Sequence, residues 1–316
     1  MIQQIVAGRV AKKVYPQYYC DGDISVETRA TIKKNVSGMV FQKIGNIVLT
    51  SVDTIVISSF LGLRVLGIYN GYYYIFTSLN AFLGVILRSL VPSVGNSIIS
   101  SSAEKNYSDF KKIHMIYSWI VVWWSTCILC LAQPFMELWV GRELMLSDEM
   151  VVLFAAYFFF FKWLDIAYVY RESNGIWWQG RWLPIIAATI NVILNIILVQ
   201  IIGLAGILVS TIISLILIHD TLGVYILKKY CFDNVMNLRK FFVRQVLIFV
   251  SVLIVSVCTY FVCRYINLST VKTLIVRGVI CATLPNIILA VLWYRWGVAK
   301  NIRDLLQNVF RRKLGG

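Results

Sequence analysis

The sequence predicts an all-α, polytopic membrane helix bundle of about eight transmembrane helices. Three observations carry that expectation. Of the 316 residues 59% are hydrophobic and only 14% charged. Long apolar runs recur along the whole chain. The basic residues gather in alternate segments between those runs. A soluble domain carries about a quarter charged residues, so lipid is the better solvent for this chain.

A helix crosses the hydrocarbon core with about 20 predominantly apolar residues. Such runs lie at Val36–Phe60, Val65–Leu90, Met115–Leu131, Val151–Tyr170, Pro184–Ile202, Gly203–Leu227, Phe241–Cys263 and Thr273–Tyr294. The helices of a soluble core are shorter and do not recur in this way. The fifth and sixth runs are nearly continuous, and together they are too long for one crossing. Gly203-Leu204-Ala205-Gly206 breaks them, because glycine enters the backbone conformations of a tight turn at little cost. Gly62 divides the first two runs in the same way.

The runs imply four regions. Residues 1–35 form a basic segment with an amphipathic helix, residues 36–227 a six-helix lobe, and residues 228–296 two additional crossings. Residues 297–316 form a basic tail, in which Val298, Ile302, Leu305, Leu306, Val309 and Phe310 recur at helical spacing. Lys300, Arg303 and Arg311–Lys313 occupy the other faces, which suits a helix lying on anionic membrane lipids.

The formal net charge is +15. Of 30 Lys and Arg, 22 fall in one alternate set: the N-terminal segment, Lys105 to Lys112, Arg171 and Arg181, Lys228 to Arg244, and the tail. Five fall in the opposite set, at Arg64, Arg142, Arg264, Lys272 and Arg277. The positive-inside rule then places both termini in the cytoplasm and requires an even number of crossings. A nucleic-acid partner is excluded, since it needs basic residues gathered on one folded soluble face. Trp139 falls at an expected outer boundary. Trp177, Trp178, Trp182, Trp293 and Trp296 fall at inner ones, where amphipathic rings favour the headgroup level.

Nothing in the sequence reads as a soluble enzyme. His114 and His219 stand in no paired metal spacing, no phosphate-binding glycine loop occurs, and the loops leave no room for a catalytic domain. No cofactor or metal is expected. Cys20, Cys127, Cys130, Cys231, Cys258, Cys263 and Cys281 lie mostly within or beside apolar runs and read as small packing residues. The Cys127–Cys130 pair has no His or acidic neighbour.

The informative residues are ionisable groups inside the runs. A charge at a helix centre costs about 3 kcal/mol on insertion scales, so it turns toward a partner or a hydrated cavity. The first run carries Lys43, Asn46 and Asp53, with Asn46 and Asp53 on nearly one face. At least one of Asp53 and Lys43 is expected to face a cavity. Lys162 and Asp165, three apart on the fourth run, either neutralise each other or serve a site. Arg88 snorkels to the headgroups or faces the cavity, and His219 and Asp220 sit near the interface. Asn191 and Asn195 form a polar stripe suited to interhelical hydrogen bonds.

Several stretches together resemble one family. They are Ser51-Val52-Asp53-Thr54-Ile55-Val56-Ile57-Ser58 with Phe60-Leu61-Gly62, then Gly67-Ile68-Tyr69, then Pro134-Phe135-Met136-Glu137-Leu138-Trp139-Val140-Gly141 and Asn174-Gly175. Ile190-Asn191 and Gly203 to Ser214 complete the order. The pattern is similar to the polysaccharide transport family of O-antigen-type, oligosaccharide-lipid flippases, relatives of the multidrug-extrusion (MATE) and lipid II transporters. The resemblance implies two lobes around a cavity, and alternating-access export of undecaprenyl-diphosphate-linked sugar repeats for surface polysaccharide in the bacterial inner membrane. The chain then corresponds to the second lobe plus two last helices. About six helices are expected to be supplied by a missing N-terminal lobe or by partner polysaccharide-assembly proteins.

On that reading Lys43, Arg88 and Lys162 are candidate cations for the diphosphate, and Asp53 and Asp165 candidate ion-coupling residues. Two rivals are a drug/cation antiporter, which favours an acidic cavity with few cations, and a membrane enzyme acting on lipid-linked sugars. The loop around Arg142–Glu149 is short for the latter.

Overall fold

A computed structural model of the protein describes residues 2–18, 23–266 and 268–294. These form helices and turns with no strand among them. A short helix α1 (Ile2–Val14) is followed by the long helices α2 (Val26–Phe60), α3 (Leu63–Ser100) and α4 (Ala103–Trp139). Then come α5 (Asp148–Lys162), α6 (Asp165–Ser173), α7 (Leu183–Ile202) and α8 (Leu204–Ser214). A π-helical stretch (Leu215–Leu222) leads into α9 (Gly223–Cys231), and α10 (Leu238–Arg264) and α11 (Thr270–Leu292) complete the order.

Among the described residues eight helices, some of them composite, are long and apolar enough to cross a membrane. The chain is an all-α polytopic membrane helix bundle. The eight match the apolar runs in order, with α5 and α6 making the fourth crossing and α8 through α9 the sixth.

α2, α3 and α4 run to 35, 38 and 37 residues. At about 1.5 Å per residue each exceeds 50 Å, well beyond the ~30 Å hydrocarbon core. Their polar ends are helical because they are capped. The Ser25 hydroxyl accepts from the Thr28 N–H at 3.2 Å, and that of Ser102 from the Lys105 N–H at 3.4 Å. Arg29, Lys33 and Lys34 of the basic stretch are thus continuous with the first crossing, while Arg9, Lys12 and Lys13 belong to α1.

Two glycines turn the chain where the sequence placed breaks. Gly62 at φ +86° and Gly203 at φ +59° occupy a region that strains any side chain. At the second turn α8 folds back onto α7 so closely that a Cβ on Gly206 would stand 2.4 Å from the Leu198 carbonyl oxygen.

α2 packs along α7, α7 on α8, and α8 on α5, while α3 packs on α6. The buried stripe of α2 is Gly38, Gln42, Gly45, Leu49, Asp53 and Val56, spaced three or four apart. Its two glycines let backbones meet. A Cβ on Gly45 would lie 2.6 Å from the Pro184 carbonyl carbon, and one on Gly38 2.7 Å from that of Trp177. Gln42 Nε2 donates to the Trp177 carbonyl at 3.1 Å.

α10 and α11 both lean on α4. Trp119 Nε1 donates to Asn286 Oδ1 at 2.7 Å, Trp123 Nε1 to the Cys281 carbonyl at 2.7 Å, and Thr126 meets Ser256 at 3.0 Å. Trp293, expected at the headgroups, is instead buried between helices, where its Nε1 donates to Ser251 Oγ at 2.9 Å. Trp296, Cys20 and the amphipathic tail lie outside the described residues. Outward positions such as Val246, Leu253, Val257, Ile275, Val279 and Val291 are exposed and apolar, as a lipid-facing surface requires.

Candidate functional site

The ionisable residues read from the sequence separate into two clusters and a remainder. The first cluster joins α2, α7 and α8. Asp53 is buried, and its Oδ1 accepts from Asn195 Nδ2 at 2.8 Å while Oδ2 accepts from Thr211 Oγ1 at 3.3 Å. Asn191 Nδ2 donates to Thr211 Oγ1 at 2.9 Å, and Asn195 Nδ2 also reaches Asn191 Oδ1 at 3.1 Å. Ser210 Oγ donates to Asn195 Oδ1. Both asparagines are fully buried. The stripe they form on α7 therefore bonds to α2 and α8, and Asp53 sits in a packed, hydrogen-bonded interface. Among the described residues no Lys or Arg makes an ion pair with it.

Lys43 and Asn46 do not join this cluster. Lys43 is exposed, because it falls between the buried positions Gln42 and Gly45 and points away from α7. Asn46 is half-buried, with its carbonyl accepting the Thr50 hydroxyl at 2.9 Å. Lys43 and Asp53 thus lie on different faces of α2, one exposed and one buried. Arg88 is likewise exposed on α3.

The second cluster sits at a break in the fourth crossing. α5 ends at Lys162, Trp163 and Leu164 form a turn, and α6 starts at Asp165. Lys162 is buried and ion-paired with Asp165. Its Nζ also donates to Asn80 Oδ1 on α3 at 2.8 Å, and Tyr117 Oη on α4 donates to Asp165 Oδ2 at 3.0 Å. The turn is braced by Trp163, whose Nε1 donates to Gln245 Oε1 on α10. The pair thus neutralises itself, yet it does so with two outside partners and at a point where the helix is interrupted.

A third group was not foreseen. Arg171 was read as part of a basic loop, but it packs against Gly223, where a Cβ would stand 3.2 Å from its Nη1. Its guanidinium lies 5.6 Å from the Tyr168 ring. Asp220, expected near the interface, is buried in the π-helical stretch within electrostatic reach of Arg171. The side chain of His219 lies outside the description. A π-helical segment shifts side chains out of α-helical register, and such segments concentrate at functional sites.

Asn80, Tyr117 and Thr211 are also site residues that the sequence reading passed over. Asn80 and the Ser210-Thr211 pair stand as isolated polar groups in apolar runs, a usable signal. Tyr117 offers none, since tyrosine is common in any apolar helix.

Comparison with protein-family models, with curated proteins and with solved structures finds no match for the chain.

Proposed function

We propose that the chain belongs to a transporter that flips undecaprenyl-diphosphate-linked oligosaccharide repeat units across the bacterial inner membrane, with both its ends cytoplasmic. The observation that carries the transport reading is the charged break at Lys162–Asp165. Non-helical backbone at membrane depth survives only where protein or a water-filled path surrounds it. Discontinuous helices bearing charged groups are how secondary transporters build substrate and ion sites. The second buried carboxylate, Asp53, supports the reading, because intramembrane acids serve proton and ion relays.

The substrate class rests on the ordered motifs quoted above. A diphosphate needs cations, and Lys162 is the buried one of the three candidates. Lys43 and Arg88, both exposed, suit headgroups or an approaching lipid diphosphate at the bundle's surface. Asp53 is the candidate coupling residue.

The test is complementation. The open reading frame that carries this chain should restore surface polysaccharide to a flippase-deficient bacterial strain, and Asp53→Asn should lower export at an unchanged membrane level of the protein. Absence of rescue when the frame is expressed together with its neighbouring genes would refute the flippase reading, and normal export by the variant would remove Asp53 from coupling. Orientation is tested with single cysteines. A probe at Met145→Cys should react with an impermeant maleimide added outside, and one at Val235→Cys should not.

A further inference from the structure

Where α4, α10 and α11 converge, three thiols meet that the transport reading does not use. Cys130, Cys263 and Cys281 are free and buried, one from each helix, and their Sγ atoms all lie within 4.8 Å of one another. Cys127, one turn before Cys130, packs beside them with its Sγ 4.0 Å from the Cys281 carbonyl oxygen.

We propose that Cys130, Cys263 and Cys281 form a three-thiolate site for one soft, monovalent d10 metal ion, of the Cu(I) class. Thiolates select soft ions over hard ones. A trigonal ion with metal–sulfur bonds of about 2.3 Å sets its sulfurs about 4 Å apart, inside the spacing already present. A disulfide would use two of the three and leave the third unexplained.

Charge supports the same assignment. Binding deprotonates the ligands, so M⁺ and three thiols give a complex of charge −2 and three released protons, with no electron transferred. Two cations stand ready to offset that charge. Arg264 and Arg277 line an adjoining cavity of about 340 Å³ whose wall includes Cys130 and Cys263. Arg277 Nη2 donates to the Ile266 carbonyl at 3.3 Å, while its buried Nε has no hydrogen-bond partner among the described residues. Asp148, also at the cavity, is engaged by Gln133 Nε2 at 2.8 Å. The cavity gives both a polar route to the sulfurs and an outlet for the protons. A divalent ion would seek a fourth ligand.

The site is independent of the flippase reading, and its test uses metal binding alone. The full chain, reduced and purified in detergent, is titrated anaerobically with Cu(I) against a chromophoric Cu(I) chelator. One ion per chain is expected. Cys130→Ser, Cys263→Ser and Cys281→Ser should each weaken binding by more than about 100-fold, beyond what loss of an outer partner costs. Cys258→Ser, at an exposed position on α10, should leave it unchanged. X-ray absorption on the unmodified, loaded chain guards against misfolded variants and should find three sulfur neighbours at about 2.3 Å. Fewer than three sulfurs, no uptake by the reduced chain, or serine variants that bind as tightly as the unmodified chain would each overturn the proposal.

Discussion

Asp53 and Asp165 are both aspartates inside apolar helices, and the bundle holds them in opposite ways. Asp53 is buried in an unbroken helix and receives neutral donors, an asparagine amide and a threonine hydroxyl from α7 and α8. Asp165 stands at a helix break, paired with a buried Lys162 and bonded by Tyr117. Both arrangements answer the same problem, that an intramembrane charge needs a partner. They answer it with different consequences. The neutral cage leaves a carboxylate free to exchange charge with its surroundings, whereas the ion pair is internally balanced and breaks badly.

The sharpest way to break this contrast is to remove one half of the ion pair. Lys162→Ala should cost about 3 kcal/mol of stability, because it strands a carboxylate with one hydroxyl donor. Unfolding in mixed micelles reads the loss, and the double change Lys162→Met with Asp165→Leu should recover most of it. A cost near zero would mean that the pair is held no more tightly than a surface one.

A somewhat smaller effect tests what positions the neutral cage. Gly45→Ala drives a methyl into the Pro184 backbone and should cost about 2 kcal/mol by forcing α2 off α7. The same measurement should show Gly67→Ala, where a Cβ meets nothing, near neutral.

Removing a neutral donor should matter less again. Asn195→Leu should cost about 1 kcal/mol, in line with hydrogen bonds between membrane helices. Should it equal the Lys162→Ala loss, the distinction between the two clusters fails. The smallest change is expected for Asp53→Asn, about 0.5 kcal/mol, since an amide can still accept from Asn195 and donate to Thr211. A functional defect in that variant would then report on charge and not on folding.

How much of this was legible beforehand follows from what each feature asks of the sequence. Lipid exposure demands about 20 apolar residues in a row, so the eight crossings and the turns at Gly62 and Gly203 could be read directly. Helix beyond the bilayer makes no such demand. The polar beginning of α2 and the ends of α3 and α4 were therefore missed, although Ser25 and Ser102 caps announce two of them. The break after Lys162 contains no Gly or Pro, only Trp163 and Leu164, and the charges on either side were its one trace. Asn191 and Asn195 could be seen as a stripe, but their partners Asp53 and Thr211 come from distant helices. The meeting of Cys130, Cys263 and Cys281 depends wholly on how α10 and α11 settle against α4, which no local pattern records.

The turn at Gly203 bears on how the bundle is made. Val199 and Gly203 share a backbone hydrogen bond, as do Gly203 and Gly206, so α7 passes into α8 with no linker between them. During synthesis such a pair has no hydrophilic loop to carry across the bilayer. Its two crossings can leave the insertion machinery side by side, as one wedge whose tip consists of backbone already bonded to itself. The pair then presents one face of α7 to α2 and one of α8 to α5, two helices that precede it in the chain.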